Sequence, residues 1–398
     1  MDEVRNAPAL NRVDYLVAFV FMATSGNPLV IYSSEWFSII TMSFMGLLCF
    51  VYRKQIVTIN LKRWIALTVL LLLCQYIWID PVSVSADVNF ISKIISASLF
   101  ASFLGVRFRW AYFRVMVYLT VFAIICWIPS FLNPNFHFGS EFDRYYTIFF
   151  YNRVMGFNQN YDFFFRNSGM FWEPGAFAGF LLFVPMLFID CLKDFFKANR
   201  KSCYILLAGL LTTFSATGYI ALMFLVGLVL VKTTNSKLAK VFIALILIAI
   251  SFYAFTGLEF LGTKITKQIE DAQNLADGDY SWDRFGAMVI DIQNALKHPF
   301  IGNGFLLESR YGKLGELMGG AGNGFTGAVN MFGFPFVILY LFGVWKNTPS
   351  QVTFIKIVFL VTVVLLLSGE YYLNYAFYWV LLFMTHPLIT QTKKNGGY

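Results

Sequence analysis

Arg166-Asn-Ser-Gly-Met-Phe-Trp-Glu-Pro-Gly175 runs straight into Ala176-Phe-Ala-Gly-Phe-Leu-Leu-Phe-Val-Pro-Met-Leu-Phe-Ile189. A polar, aromatic loop becomes an apolar segment there, and the transition places Arg166 and Glu173 at the mouth of a membrane span. Proline suits the first turn of a helix, where its missing N–H is not needed, so a helix is expected to begin at Glu173-Pro174-Gly175. The Glu173 carboxylate then lies near the positive end of the helix dipole, which favours its ionised form. A charge at bilayer depth costs about 2.5–3.5 kcal/mol on insertion scales, so charges placed there face a partner, a cavity or a substrate. The alternative is an interfacial cap with a snorkelling arginine.

Working outward, the composition matches that reading. Of 398 residues, 58% are hydrophobic and only 13% charged, with mean hydropathy +0.65. That leaves too little polar surface to coat a soluble domain of this size, and predicts an all-α polytopic membrane protein with residues 1–398 as one integral domain. The formal charge of +8 comes from short basic clusters between apolar runs, which is a topology signal; a nucleic-acid partner is rejected. Cys49, Cys74, Cys126, Cys191 and Cys203 have no metal-ligand spacing and form no disulfide framework. The mixed-charge start MDEVRNAPALNRVD shows no cleavable signal pattern.

Windows long enough to cross a ~30 Å core fall near 14–32, 36–52, 63–79, 90–106, 112–132, 170–190, 203–214, 217–231, 240–257, 324–345, 353–369 and 372–390, about 12 transmembrane helices. The run 203–231 is split at Gly218 because the Lys/Arg bias of short loops sets orientation. With both termini cytoplasmic, twenty of the 30 Lys and Arg fall inside and nine fall in two long loops, which are exempt from the rule, leaving Lys93 as the one stray. Those loops, 133–168 and 258–323, therefore face outward.

The first outer loop mixes Tyr, Phe and Asn with Arg144, Arg153, Arg166, Glu141, Asp143 and Asp162. Such a mixture suits carbohydrate and equally suits anchoring at the membrane surface. The second carries two amphipathic helical patterns. One runs from Thr263 to Leu275. The other is capped by Ser281 and runs to His298, where Pro299 stops it. On a ~100° wheel, Arg284, Asp291 and His298 share a face, while Phe285, Val289, Ile292 and Leu296 form the stripe expected to pack. A merely solvated charged face is the competing reading. Gly302 and Gly304 let backbone approach a ligand or make a tight turn, and Asn323 stands in the polar approach to the tenth span.

Four stretches in order carry a family likeness: RNSGMFWEPGAFAGFLLFVP, TTFSATGYIALMFL, WDRFGAMVIDIQNALKHPFIGNGF and GNGFTGAVNMFGFPFVILY. Together they resemble the O-antigen polymerase and ligase superfamily of integral membrane glycosyltransferases, most of all the Wzy-type repeat-unit polymerases. The N-terminal third matches only in hydropathy. The resemblance implies a bacterial inner-membrane enzyme that polymerises undecaprenyl-pyrophosphate-linked oligosaccharides for O-antigen, capsule or exopolysaccharide at the periplasmic face. It implies no cofactor and no metal. Implied partners are the lipid-linked glycan, membrane lipid, a chain-length regulator and a flippase. The ligase branch has a His-Asn pair at the start of the late span and a Gly about ten residues on; here Gly322-Asn323 and Gly333 stand there. The missing His argues against a lipid A-core ligase, which remains an alternative beside a flippase or transporter.

Arginine binds phosphate bidentately, so Arg166 and Arg284, with Arg153 third, are expected to meet the pyrophosphate leaving group; simple contact with lipid head groups is the alternative. Glu173 is the expected proton acceptor, chosen over Asp283, Asp291 and His298. His298 is passed over because a place at a helix C-terminus would favour its protonated form, a poor base. Asp291, His298, Gly302, Gly304 and Asn323 are assigned to substrate binding.

Overall fold

The structure is a computed structural model describing residues 7–32, 36–54, 56, 58–133, 135–154, 165–234, 236, 284–312 and 323–384; of Arg284 and Phe285 it describes the backbone alone. The expected span 240–257, the amphipathic stretch 263–275, Asp283 and the Ser281 cap lie outside the described residues.

Helices dominate, and their starts follow local chemistry. α1 (Arg12–Gly26) opens on a capping box in which Asn11 and Asp14 each accept the other's backbone N–H. After the short α2 (Pro28–Ile31) come α3 (Trp36–Val51), α4 (Thr58–Trp78), α5 (Val84–Leu104) and α6 (Phe108–Leu132). Gly105, at φ +51°, separates the last two. α7 (Pro174–Leu187) starts at the proline expected to start it, with Glu173 as N-cap. α8 (Leu192–Ala198) follows at a bend of 104°. α9 (Arg200–Thr212) and α10 (Ala216–Thr233) divide at Thr213–Ser215, so the run read as two segments is two helices. α11 (Arg284–Ala295), α12 (Leu307–Tyr311), α13 (Gly324–Asn347), α14 (Thr353–Gly369) and α15 (Ala376–Trp379) complete the set.

Among the described residues, three helical stretches, Asn60–Trp78, Val84–Leu132 and Gly324–Asn347, are long and apolar enough to cross a membrane, and the bent α7–α8 pair makes a fourth if it is one span. Large apolar side chains face outward on the early helices, among them Phe50 at 81%, Leu132 at 76% and Ile77 at 69% exposure. The interior is aromatic: Phe180 stacks on Phe377 at 3.8 Å, and Phe21, Tyr112 and Tyr372 close around Phe377.

Two segments depart from straight spans. α13 is broken at Gly333 (φ +78°), two residues before Pro335. Pro335 cannot bond the Met331 carbonyl four residues back. That carbonyl instead accepts from Gly304 N–H at 3.1 Å and the Gln75 amide at 2.7 Å, while Asn330 O accepts from Asn303 N–H at 2.7 Å. The described part of the last apolar stretch, expected as a span over 372–390, is α15 flanked by 3-10 turns at Tyr372–Asn374 and Val380–Leu382. Irregular backbone in an apolar interior survives only with internal partners. Here the Trp379 indole donates to Leu373 O at 2.9 Å and the Tyr340 hydroxyl to Tyr378 O at 3.0 Å.

The all-helical expectation needs one correction in the first loop. Residues 140–154 form a three-stranded antiparallel sheet, β1 (Ser140–Phe142), β2 (Tyr145–Thr147) and β3 (Asn152–Val154). Asp143, at φ +50°, turns β1 into β2, a conformation Asp tolerates better than most residues.

α11 also corrects its expected orientation. It ends at Ala295, short of His298, and buries Ala287, Ile290, Asp291 and Asn294 against α12 and α13. Val289 and Leu296, from the stripe expected to pack, are exposed. Asp291 can turn inward because neighbouring segments supply donors that the helix's own sequence does not reveal.

Candidate functional site

The Arg166–Gly175 stretch is a hub of backbone anchors. Arg166 Nε donates to Thr213 O at 3.0 Å, and Asn167 donates through its backbone N–H to Thr212 O at 2.9 Å. The last carbonyls of a helix lack internal partners, so both residues satisfy the end of α9. Ser168 Oγ donates to Asn152 O in β3, and Trp172 N–H donates to Gly26 O at the end of α1 at 3.1 Å. Arg166, expected at the leaving group, is thus engaged with a helix end.

Glu173 makes no capping bond to α7. Its Oε1 accepts from Arg144 Nη2 at 3.0 Å, and both side chains are about one-third exposed, 33% and 31%. Arg144 comes from the β1–β2 turn and also donates Nε to the Tyr145 hydroxyl at 3.0 Å. Burial alone would lower the Arg144 guanidinium; the Glu173 charge, the Tyr145 bond and the nearby phenols outweigh it and hold the guanidinium up. Burial, then Tyr32, pushes the Tyr145 phenol up despite Arg144.

Aromatic rings wall this pair. Tyr32 stacks on Tyr145 at 6.1 Å, and Trp172 lies 5.0 Å from Tyr375, whose face Lys93 approaches at 5.8 Å. The stray lysine of the sequence therefore points into this mouth. The Trp172 indole donates to Glu370 Oε2 at 3.1 Å. Glu370, 6% exposed, ends α14 against the starts of α7 and α13. A Cβ on Gly175 would lie 2.1 Å from its Oε1, and one on Gly324 would lie 2.1 Å from its carbonyl. The positive start of α7 therefore faces the Glu370 carboxylate, while the start of α13 packs on the Glu370 backbone.

Beyond Glu370 lies a second polar cluster. Asp291 is fully buried and accepts from the Tyr311 hydroxyl at 2.6 Å, Thr326 Oγ1 at 2.9 Å and Asn330 Nδ2 at 3.0 Å. Burial raises its pKa; the three hydrogen bonds and the Arg310 charge pull the other way. With no exposed surface, Asp291 orders α11 on α13, which corrects the reading of a merely solvated charge at this position. Arg310, 9% exposed, donates to Phe305 O at 3.2 Å, and its Nε has no partner among the described residues.

The other expected residues find protein partners. His298 Nδ1 lies 2.9 Å from Asn303 Oδ1, and Asn303 donates to Asn294 O and Asn330 Oδ1. Gly302 (φ +68°) presses on the Met331–Gly333 backbone, where a Cβ would lie 2.5 Å from Met331. Gly304 (φ +76°) donates to the same break. Asn323 caps α13, accepting from Phe325 and Thr326 N–H at 3.1 Å each. Arg153 is 9% exposed, donating to Phe136 O at 2.8 Å under the Phe165 ring. The site that assembles is Arg144 with Glu173, flanked by Lys93 and Glu370. One signal could have flagged Glu370: a lone acid closing an apolar segment in a chain whose spans carry almost no charge.

Compared with protein-family models and with curated proteins, the chain matches none.

Proposed function

We propose that the chain is a polytopic glycosyltransferase of the bacterial inner membrane that polymerises undecaprenyl-pyrophosphate-linked oligosaccharides, with about twelve spans and both termini cytoplasmic. The observation that carries this reading is the Arg144–Glu173 pair at 3.0 Å, reachable from outside and walled by Tyr32, Tyr145, Trp172 and Tyr375. Aromatic faces receive the C–H faces of sugars, and the charged groups receive hydroxyls and phosphate. Glu173 accepts the proton of an acceptor hydroxyl as its oxygen bonds the anomeric carbon. The bond from that carbon to the pyrophosphate oxygen breaks, and Arg144 meets the departing negative charge.

Orientation has support at the other end of the bundle. Arg107 pairs with Asp14 at 2.8 Å, Arg109 lies 5.2 Å over Phe188, and Lys232 donates to Asp190 O at 3.3 Å. α7, at 14 residues about 21 Å long, separates these cations from Glu173, as expected if they face the cytoplasm.

The break in α13 resembles the interrupted helices of transporters, which favours a flippase as second reading. Its freed carbonyls are, however, already engaged by Gln75, Asn303 and Gly304. Reconstitution in liposomes with a lipid-linked repeat unit separates the readings. Chain growth means polymerase, transfer only to an added lipid A-core acceptor means ligase, and movement without transfer means flippase. Glu173→Gln should lower polymer formation by ~10²–10⁴-fold, with Arg144→Lys also impaired because the fork is lost. A pair that is only structural would lose stability in both variants at unchanged turnover per folded molecule.

A further inference from the structure

At the end of α7 away from Glu173, helices α7 to α10 enclose an apolar cavity of about 740 Å³. Leu181 and Pro185 of α7, Leu207 of α9, and Val226 and Leu230 of α10 are among its walls. The 104° bend after α7 turns α8 across the bundle rather than along it. Phe195 pins α8 down, buried and stacked on Phe188 at 3.9 Å. That leaves Lys193 and Lys197 of α8, with Arg200 at the start of α9, exposed while still lining the cavity. Acidic neighbours are Asp194 on α8 and Asp190, whose carbonyl accepts from Lys232 at 3.3 Å.

An apolar trough with cations at one end complements an amphiphile with hydrocarbon chains and an anionic head. The volume lies within the ~300–1,000 Å³ range of built ligand sites, and basic pockets between helices at the cytoplasmic side suit anionic head groups. We propose that this cavity binds an anionic phospholipid, its acyl chains against α7, α9 and α10 and its phosphate among Lys193, Lys197 and Arg200. The site requires the chain to lie in a membrane but does not require glycosyl transfer, so it stands or falls separately from the polymerase reading.

The test is native mass spectrometry of the full chain in mild detergent, titrated with phosphatidylglycerol or, in parallel, phosphatidylcholine. Phosphatidylglycerol should be retained preferentially. Lys193→Gln, Lys197→Gln and Arg200→Gln together should lower its retention about a hundredfold, at roughly fivefold per cation, with elution as a single folded species. Leu207→Trp, which fills the trough without touching the cations, should lower retention of both lipids. Equal retention of the two lipids by the unaltered chain, or unchanged phosphatidylglycerol retention in the triple variant, overturns the proposal. So does a disulfide between Cys203, which lines the cavity, and Leu245→Cys that forms in membranes whatever lipid is added, because the chain's own segment would then fill the trough.

Discussion

Replacing Asp291 by alanine removes the acceptor shared by three buried donors: the hydroxyls of Tyr311 at 2.6 Å and Thr326 at 2.9 Å, and the Asn330 amide at 3.0 Å. A buried donor without a partner costs about 1–3 kcal/mol, so three cost about 3–9 kcal/mol. Water entering the vacated space recovers part of this, and about 3–5 kcal/mol is expected. Asparagine is gentler: its Oδ1 still accepts from Tyr311 and Asn330, and the Thr326 hydroxyl can turn to accept from the new amide. The two variants also differ from wild type in their pH dependence. Asp291 titrates above its ordinary value because it is buried, so the folded protein holds this proton more tightly than the unfolded chain. The stabilising contribution is fully present below the unfolded carboxylate value of about 3.9 and is lost as pH rises through the raised folded value. Asn cannot ionise, so Asp291→Asn should gain on wild type as pH rises above about 4. Thermal unfolding of the detergent-solubilised chain, followed by tryptophan fluorescence across pH, measures both effects. Asp291→Ala within about 1 kcal/mol of wild type, or an Asn variant whose gap to wild type is flat or shrinks with pH, would refute the argument.

Gly302→Ala should destabilise by about 2–4 kcal/mol, combining a left-handed backbone cost with overpacking on Met331 backbone 2.5 Å away; a fall in unfolding temperature checks it. Gly175→Ala pushes a methyl onto Glu370 Oε1, so the Trp172–Glu370 bond should break and shift tryptophan emission, at a cost of about 1.5–3 kcal/mol. Arg166→Gln should lower stability by roughly 1 kcal/mol through the lost Thr213 contact, while polymer formation per folded molecule stays unchanged; a hundredfold loss of turnover would return Arg166 to the leaving-group site.

How much was legible depended on how local the cause was. Pro174 starting α7 and a chain rich in apolar helices rest on residues within a turn or two of each other, while the split between α9 and α10 was read from the alternation of basic loops along the chain. Periodicity misplaced α11, because its stripe suggested that Val289 and Leu296 pack, whereas Asp291 turns inward to donors on α12 and α13. The sheet at 140–154 was hidden among aromatic residues that suit a strand and a membrane surface alike.

By itself, then, the sequence determined composition, a chain rich in apolar helices and the start of α7, since each follows from side-chain transfer energies and short-range backbone chemistry. Only the tertiary structure decided which charges meet. Glu173 finds Arg144 across 29 residues, and Trp172 finds Glu370 across 198. Such pairings depend on where the β1–β2 turn and the ends of α7, α13 and α14 come to rest, and packing of the whole chain sets those positions rather than any local pattern.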